Sequence, residues 1–361
     1  MPYRAYYFMP EGKLKAGLDE QDIKTAYDSR EGLLWVDVEA TGEEDGRFME
    51  RLFGFHRLAI EDCVDPQVHT PKVDDYDKYL FIILNGINYA LEPDVVPTTE
   101  LALFVGASFV VSSHNYPLPS VDAIARNIEL DTRPMSRGAS LFAHALTDSL
   151  IDNVIPTVDR MAEVVTSIEE EAIYQPHQGT LDALMRLKRS TVRIARVIGP
   201  QRDMLNRISN GHYPLLRQES LLFFRDVYDH IVTIQDRNNA IQQRADHCTL
   251  TYMSATANKQ NETVKVLTFV ATVLLPLNLI ASIYGMNFHN MPELDWPWGY
   301  YMVLGIMAFV GTTLATFLWA RSWLRIGGRK IRPAGLFRVA GLTKKQSGNG
   351  RDYRSAAKNT P

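Results

Sequence analysis

The chain of 361 residues is 46% hydrophobic and 22% charged, enough for two domains with sizeable cores and too apolar for a mainly disordered protein. Two distant cysteines, Cys63 and Cys248, exclude a disulfide framework and a four-thiolate zinc site. The net charge of -4 is unevenly spread: residues 1–265 hold 39 acidic and 27 basic side chains, whereas 321–361 carry +10. A nucleic-acid binder is expected to carry its basic surface on the folded part, so nucleic acid is not an expected partner.

The N-terminus has no apolar core of a signal peptide, which keeps the first part of the chain on the cytoplasmic side. Tyr3 to Phe8, Leu33 to Val38, Tyr79 to Tyr89, Leu101 to Val105 and Ser108 to Ser113 are rich in Val, Ile, Phe and Tyr between turn formers, and read as strands. Helical character over Glu43 to Phe53, Arg57 to Cys63 and Val121 to Leu130 completes an α/β domain over residues 1–130. Residues 131–213 read as a helical hairpin, with arms from Ser140 to Tyr174 and from Thr180 to Ile208. From Leu216 to Tyr284 the helical pattern is unbroken, and at 1.5 Å per residue it makes a rod of about 100 Å. Its first part, residues 214–265, is a stalk.

Val266 to Tyr284 and Trp296 to Ala320 are uncharged runs of 19 and 25 residues, long enough to cross a hydrocarbon core of about 30 Å. The first transmembrane helix is placed at 266–287, an external loop at 288–295, the second helix at 296–320 and a basic tail at 321–361. Arg321, Arg325, Arg329, Lys330 and Arg332 follow the second span, while the loop carries only Glu293 and Asp295. Both termini then face the cytoplasm in a multi-pass protein of the cell (inner) membrane. Trp296, Trp298, Tyr300 and Tyr301 suit one interface, and Trp319 and Trp323 the other.

The first span has two unlike sides. Asn261, Val264, Thr268, Ala271, Leu275, Asn278, Ser282 and Gly285 recur every three or four residues, opposite bulky Val266, Phe269, Val273, Leu277 and Ile280. Polar side chains avoid lipid, and two spans cannot wall a conduit, so the stripe fits a symmetric oligomer around an axis. Close packing of helices through small residues, without a pore, is the alternative at this point.

Tyr284-Gly285-Met286-Asn287 and Met291-Pro292-Glu293-Leu294 stand just after the first of two C-terminal spans. This resembles the YGMN and MPEL signature of the CorA magnesium transport family. The likeness extends to residues 261–267, 224–230 and 58–62. It implies a funnel-shaped homopentamer in the lipid bilayer, with an α/β cytoplasmic domain, an all-α stalk lining the pore and two C-terminal transmembrane helices. By the same resemblance Gly285, Met286 and Asn287 form the entrance, with Glu293 in the external loop. Asn278 and Ser282 line the path, and Asn261, Val264, Leu267 and Leu275 occupy the positions where the family narrows. The family often has Thr at Asn278 and Gly at Ser282, which bears on pore width and ion preference. Asp62 and Asp226 match positions that hold regulatory Mg2+ between neighbouring subunits, with Glu61, Asp148, Asp229 and His230 nearby. Mg2+ is thus implied as both cargo and regulator, with no organic cofactor.

Elementary chemistry agrees with an amide filter. Mg2+ dehydrates reluctantly, so neutral carbonyls such as that of Asn287 can hold it through its water shell, and weak sites release it readily. No nucleotide-binding glycine loop or hydrolase motif occurs, so an enzyme is not expected, and the nine histidines show no zinc-ligand spacing. The reading is a divalent cation channel, most directly for Mg2+ influx down its gradient, with Co2+ or Ni2+ as further cargo and closure by internal Mg2+. The alternatives are a zinc transporter of the same superfamily and a membrane-anchored ligand sensor.

Overall fold

A computed structural model describes residues 3–39, 42–87, 98–286, 291–292 and 296–320. The elements in chain order are β1 (Tyr3–Phe8), β2 (Leu14–Ala16), α1 (Glu20–Ser29), β3 (Leu33–Glu39), α2 (Glu43–Phe53), α3 (Arg57–Val64), β4 (Lys72–Asp75), β5 (Tyr79–Ile87), β6 (Thr98–Gly106) and β7 (Phe109–His114). Helices follow: α4 (Pro119–Leu130), α5 (Arg133–Ser136), α6 (Ala139–Asp152), α7 (Ile155–Tyr174), α8 (Gln178–Ser209), α9 (Gln218–Tyr284) and α10 (Gly299–Ala320). The chain divides into two compact units between Ala257 and Asn258.

In the first unit a seven-stranded sheet runs in the order β2-β1-β3-β7-β6-β5-β4. Among the described residues only the β3–β7 pairing is parallel. Because side chains alternate across a strand, Leu33 and Trp35 enter one core and Leu34, Val36 and Val38 the other. Helices α1, α2 and α3 cover the second face, while α4 and α6 to α9 cover the first. Both faces of β5 are therefore buried, which is why it reads as a continuous apolar run. The tight turn before β3 needs Gly32, whose φ is +66° and where a Cβ would meet the Phe8 carbonyl oxygen at 2.1 Å.

Two sequence expectations change in detail. The arm from Ser140 to Tyr174 is two helices, α6 and α7, with Pro156 in the first turn of the second. Strands β2 and β4 and helix α1 add to the elements read from composition. The strand expected over Tyr79 to Tyr89 is present from Tyr79 to Ile87, and its last two positions lie outside the described residues.

The helices pack by a seven-residue rhythm. On α9, Ser220, Phe224, Val227, Ile231, Ile234, Asn238, Ile241, Ala245 and Cys248 are buried at steps of four and three, the spacing of a coiled-coil seam. On α7, Val158, Met161, Val165, Ile168 and Ala172 repeat it. Each fully buried aliphatic chain of this kind contributes about 1.5–3 kcal/mol. Asn238 is the amide in this series, donating from Nδ2 to the Thr191 carbonyl of α8 at 3.0 Å. Beyond Cys248 no residue of α9 is buried.

A charged group also sits inside the first core. Asp37, Ser112 and His114 lie on the sheet face toward α4, and the Asp37 and His114 side chains are 0% and 1% exposed. Ser112 donates to Asp37 Oδ1 at 2.5 Å and accepts from Trp35 Nε1 at 2.9 Å. Arg4 donates to Asp37 Oδ2 at 2.6 Å and to Asp122 at 2.7 Å. The His114 Nδ1–H donates to the Tyr116 carbonyl at 2.8 Å, and its Nε2 lies 3.3 Å from Asp37 Oδ1. Burial alone would push the imidazole down, but Asp37, with Glu39 beyond it, outweighs burial and holds it above its usual value. Burial would raise the Asp37 carboxyl, and its contacts with His114, Ser112 and Arg4 hold it down instead.

Two outcomes follow from linkage. The stabilisation from His114 is complete below its unfolded value of about 6.5 and is lost as pH rises through the elevated folded value. The melting temperature of the wild type should therefore fall across that window relative to His114→Gln, measured in parallel. The stabilisation from Asp37 is present above about 3.9 and fades as pH falls through its lowered folded value. Asp37→Asn leaves two cations without their shared anion and should cost about 3–5 kcal/mol in chemical denaturation.

Candidate functional site

The second unit contains the candidate pathway. Residues of α9 and α10 form windows of mean hydropathy 2.2 and 1.9, and none of either window is buried. Apolar surface of that extent outside any core suits lipid and helix neighbours rather than water. The membrane part of α9 has two opposite faces. Phe269, Val273, Leu277, Ile280 and Tyr284 are partly covered, and Leu277 lies against Gly311 of α10, where an added Cβ would meet its Cδ1 at 3.6 Å. About half a turn away, Val264, Leu267, Thr268, Leu275, Asn278 and Ser282 are exposed, as is Asn261 one turn earlier. These are the residues expected to line a path, and no Asp or Glu interrupts them, since Glu262 lies on the other side of the helix.

Threonine hydroxyls on both spans bond within their own helices. Thr268 donates to the Val264 carbonyl at 2.8 Å and Thr272 to that of Thr268 at 2.7 Å, and Thr312 and Thr316 do the same on α10. Pro276 inside α9 has no N–H to give, which leaves the Thr272 carbonyl without its helical donor. The helix ends with Gly285 donating to Ala281 O at 2.9 Å and Met286 to Ile283 O at 3.3 Å. Asn287 and Glu293, both singled out from the sequence, lie outside the described residues.

In the first unit, the residues expected to bind regulatory metal form two clusters. Helical spacing puts Asp148 and Asp152 one turn apart on α6, and Asp226 and His230 one turn apart on α9. His230 Nδ1 is 3.7 Å from Asp148 Oδ1 and 3.5 Å from Asp152 Oδ1, and its Nε2 is 3.9 Å from Asp226 Oδ2. Ligand atoms of Asp148, Asp152 and His230 all lie within 4.8 Å of one another. Asp148 Oδ1 and His230 Nδ1 are shielded from solvent and have no hydrogen-bond partner. Burial, then the negative charge of Asp152, pushes the Asp148 carboxyl up, with His230 opposing. A divalent cation would relieve that repulsion. Octahedral Mg2+ bonds of about 2.1 Å set adjacent ligands about 3.0 Å apart, so these wider separations suit partial closure or a water in between. Asp229 is exposed, about 100° around α9 from His230.

Glu61 and Asp62, on α3, stand in the other cluster. Glu61 pairs with Arg57 at 2.9 Å on the surface. Asp62 Oδ2 receives Lys72 Nζ at 2.7 Å, and Asp62 Oδ1 faces His69 Nε2 at 3.8 Å. His69 is oriented by Glu100, which accepts from its backbone N–H at 2.6 Å and meets Nδ1 at 3.2 Å. Asp152, Lys72, His69 and Glu100 were not singled out from the sequence. Asp152 was within reach, four residues after Asp148, whereas only the tertiary structure brings Lys72 and Glu100 to Asp62.

Residues 30–321 match the family described as CorA-like Mg2+ transporter protein. The chain belongs to that family. It is 30% identical over 295 residues to the cobalt/magnesium transport protein CorA of Thermotoga maritima, covering 80% of this chain and 83% of that protein. It is 21% identical over 317 residues to the zinc transport protein ZntB of Pectobacterium carotovorum subsp. carotovorum, covering 85% and 91%. The complete structure of the CorA magnesium transporter from Methanocaldococcus jannaschii superposes with a TM-score of 0.78 at 17% identity, over 90% of this chain and 99% of that one. The α/β unit, the long helix and the two C-terminal apolar helices are thus the CorA fold. The chain is a divalent-cation transporter of the CorA superfamily with two membrane-spanning helices.

The acidic cluster generates a test. Asp148→Asn should leave metal-free protein equally stable or about 0.2–0.5 kcal/mol more stable, because it removes a like-charge pair one turn apart. The same variant should lose much of the rise in melting temperature that Mg2+ gives the wild type, and Asp152→Asn should behave alike. Thermal scans with EDTA and with a Mg2+ series measure both.

Proposed function

We propose that this chain is a Mg2+ influx channel that assembles as a homopentamer, with both termini in the cytoplasm. The observation that carries the reading is the two-faced membrane part of α9. One face is bulky and partly covered by α10, and the opposite face bears Asn261, Thr268, Asn278 and Ser282 among Val264, Leu267 and Leu275. Polar side chains need a partner other than lipid, and a ring of copies gives them a shared watery axis. The resemblance to CorA at Tyr284-Gly285-Met286-Asn287 supports five copies and an amide entrance at Asn287. A lining free of carboxylates favours a hydrated hard cation held weakly, which suits Mg2+ conduction. The basic residues after the second span, against the acidic loop between the spans, support the orientation.

Regulation is part of the proposal. Internal Mg2+ bound at Asp62 and at the cluster of Asp148, Asp226 and His230 bridges neighbouring subunits and favours the closed arrangement. A falling concentration releases it, a population shift driven by differential affinity for the two states.

The test is Mg2+ uptake into proteoliposomes under an inside-negative potential, followed with an entrapped fluorescent indicator. The wild type should conduct, and Asn287→Ala should lose at least tenfold of the flux while keeping its oligomeric state. Zn2+ uptake without Mg2+ uptake by the wild type would assign the protein to zinc transport, and no cation flux from an intact oligomer would overturn the channel.

A further inference from the structure

The regulatory part of the proposal assigns a divalent cation to Asp62, yet that carboxylate already holds a cation from its own chain. Lys72 is the first residue of the edge strand β4, and its ammonium meets Asp62 Oδ2 at 2.7 Å and Asp74 Oδ2 at 2.8 Å. The same Nζ lies 5.7 Å from the centre of the Phe81 ring, which fixes where the chain points. Side-chain exposures of 39% for Lys72, 26% for Asp62 and 40% for Asp74 leave the group partly desolvated and open to ions. A lysine is charged at neutral pH, so Lys72 places a positive charge directly at this carboxylate.

Two cations cannot use Asp62 Oδ2 together. A divalent ion approaching directly or through one water would stand within a few ångströms of the ammonium, where like charges repel strongly in a partly desolvated site. The other oxygen, which faces His69 Nε2 at 3.8 Å, belongs to the same carboxylate, so an ion there still stands within a few ångströms of the ammonium. Binding therefore has to be an exchange, and Asp74 makes the exchange feasible. When the metal takes Asp62, Lys72 keeps Asp74 as its counter-ion, and neither state contains an unpaired buried charge.

We propose that Lys72 is a built-in competitor for the divalent cation at Asp62, with Asp74 as its alternate partner. It thereby sets the internal Mg2+ concentration at which the transporter closes. The inference rests on the regulatory reading of Asp62 given above. Before Mg2+ binds, Lys72 does what the ion does afterwards, neutralising Asp62 against Asp65, Asp74 and Glu100. Its attraction to Asp62 has to be overcome by the ion, so a stronger hold means a higher closing concentration.

The experiment uses the full-length protein in detergent, reading the Mg2+ concentration at half-maximal rise of the melting temperature, and in parallel the internal Mg2+ that half-closes uptake in proteoliposomes. Lys72→Met keeps the unbranched stem over Phe81 and removes the charge. Both midpoints should fall about three- to tenfold, and the melting temperature in EDTA should drop and be restored by Mg2+. Lys72→Arg should stay near the wild-type midpoint. Asp74→Asn, at a partly exposed position that should fold readily, removes the alternate partner and should raise the midpoint. A response that Asp62→Asn weakens but Lys72→Met and Asp74→Asn leave unchanged would overturn the competitor. A wild-type response to Mg2+ that is absent, or untouched by Asp62→Asn, would overturn the regulatory reading beneath it, whether or not the protein conducts.

Discussion

Water cannot follow a polar side chain into hydrocarbon, and α9 is built around that restriction. Its membrane part presents Asn278 and Ser282 on one side and Phe269, Val273 and Leu277 on the other. A lipid-facing Asn would leave amide donors and acceptors unmet, at a cost of several kcal/mol. Threonines avoid the problem by bonding back along the helix, as Thr268 and Thr272 do, but an asparagine amide on an exposed stripe has too many groups for that solution. In the proposed ring of copies, a wet axis would satisfy it.

The same helix is also governed by the hydrophobic effect in its first half. From Ser220 to Cys248 its buried residues follow a seven-residue rhythm that α7 repeats, with Asn238 tied to the Thr191 carbonyl of α8. A buried amide with one specific partner fixes register, because sliding by a turn would strand it in an apolar seam. One element therefore carries two codes in sequence: heptad burial against helices of its own chain, then a two-faced apolar helix.

Charge compensation organises the acidic part of the chain. Asp37 is paired inside the fold with Arg4 and His114. Asp62 is neutralised by Lys72. Among the described residues the cationic group near Asp148 and Asp152 is His230, and burial with the charge of Asp152 pushes the Asp148 carboxyl up. The three groups form a series from a structural anion, through one with an internal cation, to one left for a cation from solution, and the series follows from what each carboxylate can reach.

Local pattern was enough for much of this. The uncharged runs from Val266 and Trp296, the central strands and the residues at the end of the first span were legible because hydropathy, period and short motifs are properties of neighbours in the chain. The family assignment followed from them. The edge strands β2 and β4 were not legible: Leu14–Ala16 and Lys72–Asp75 are too short and polar to stand out, and only pairing with β1 and β5 makes them strands. Asp152 was overlooked although its spacing from Asp148 was in view, since an exposed acid four residues from another is common on any helix. What tertiary structure alone decided is which charges meet. Lys72 and Asp62 are ten residues apart with a helix end and a turn between them, and Asp37 finds its cations at positions 4 and 114. Coulomb interactions depend on distance in space, and no period in the sequence encodes that distance.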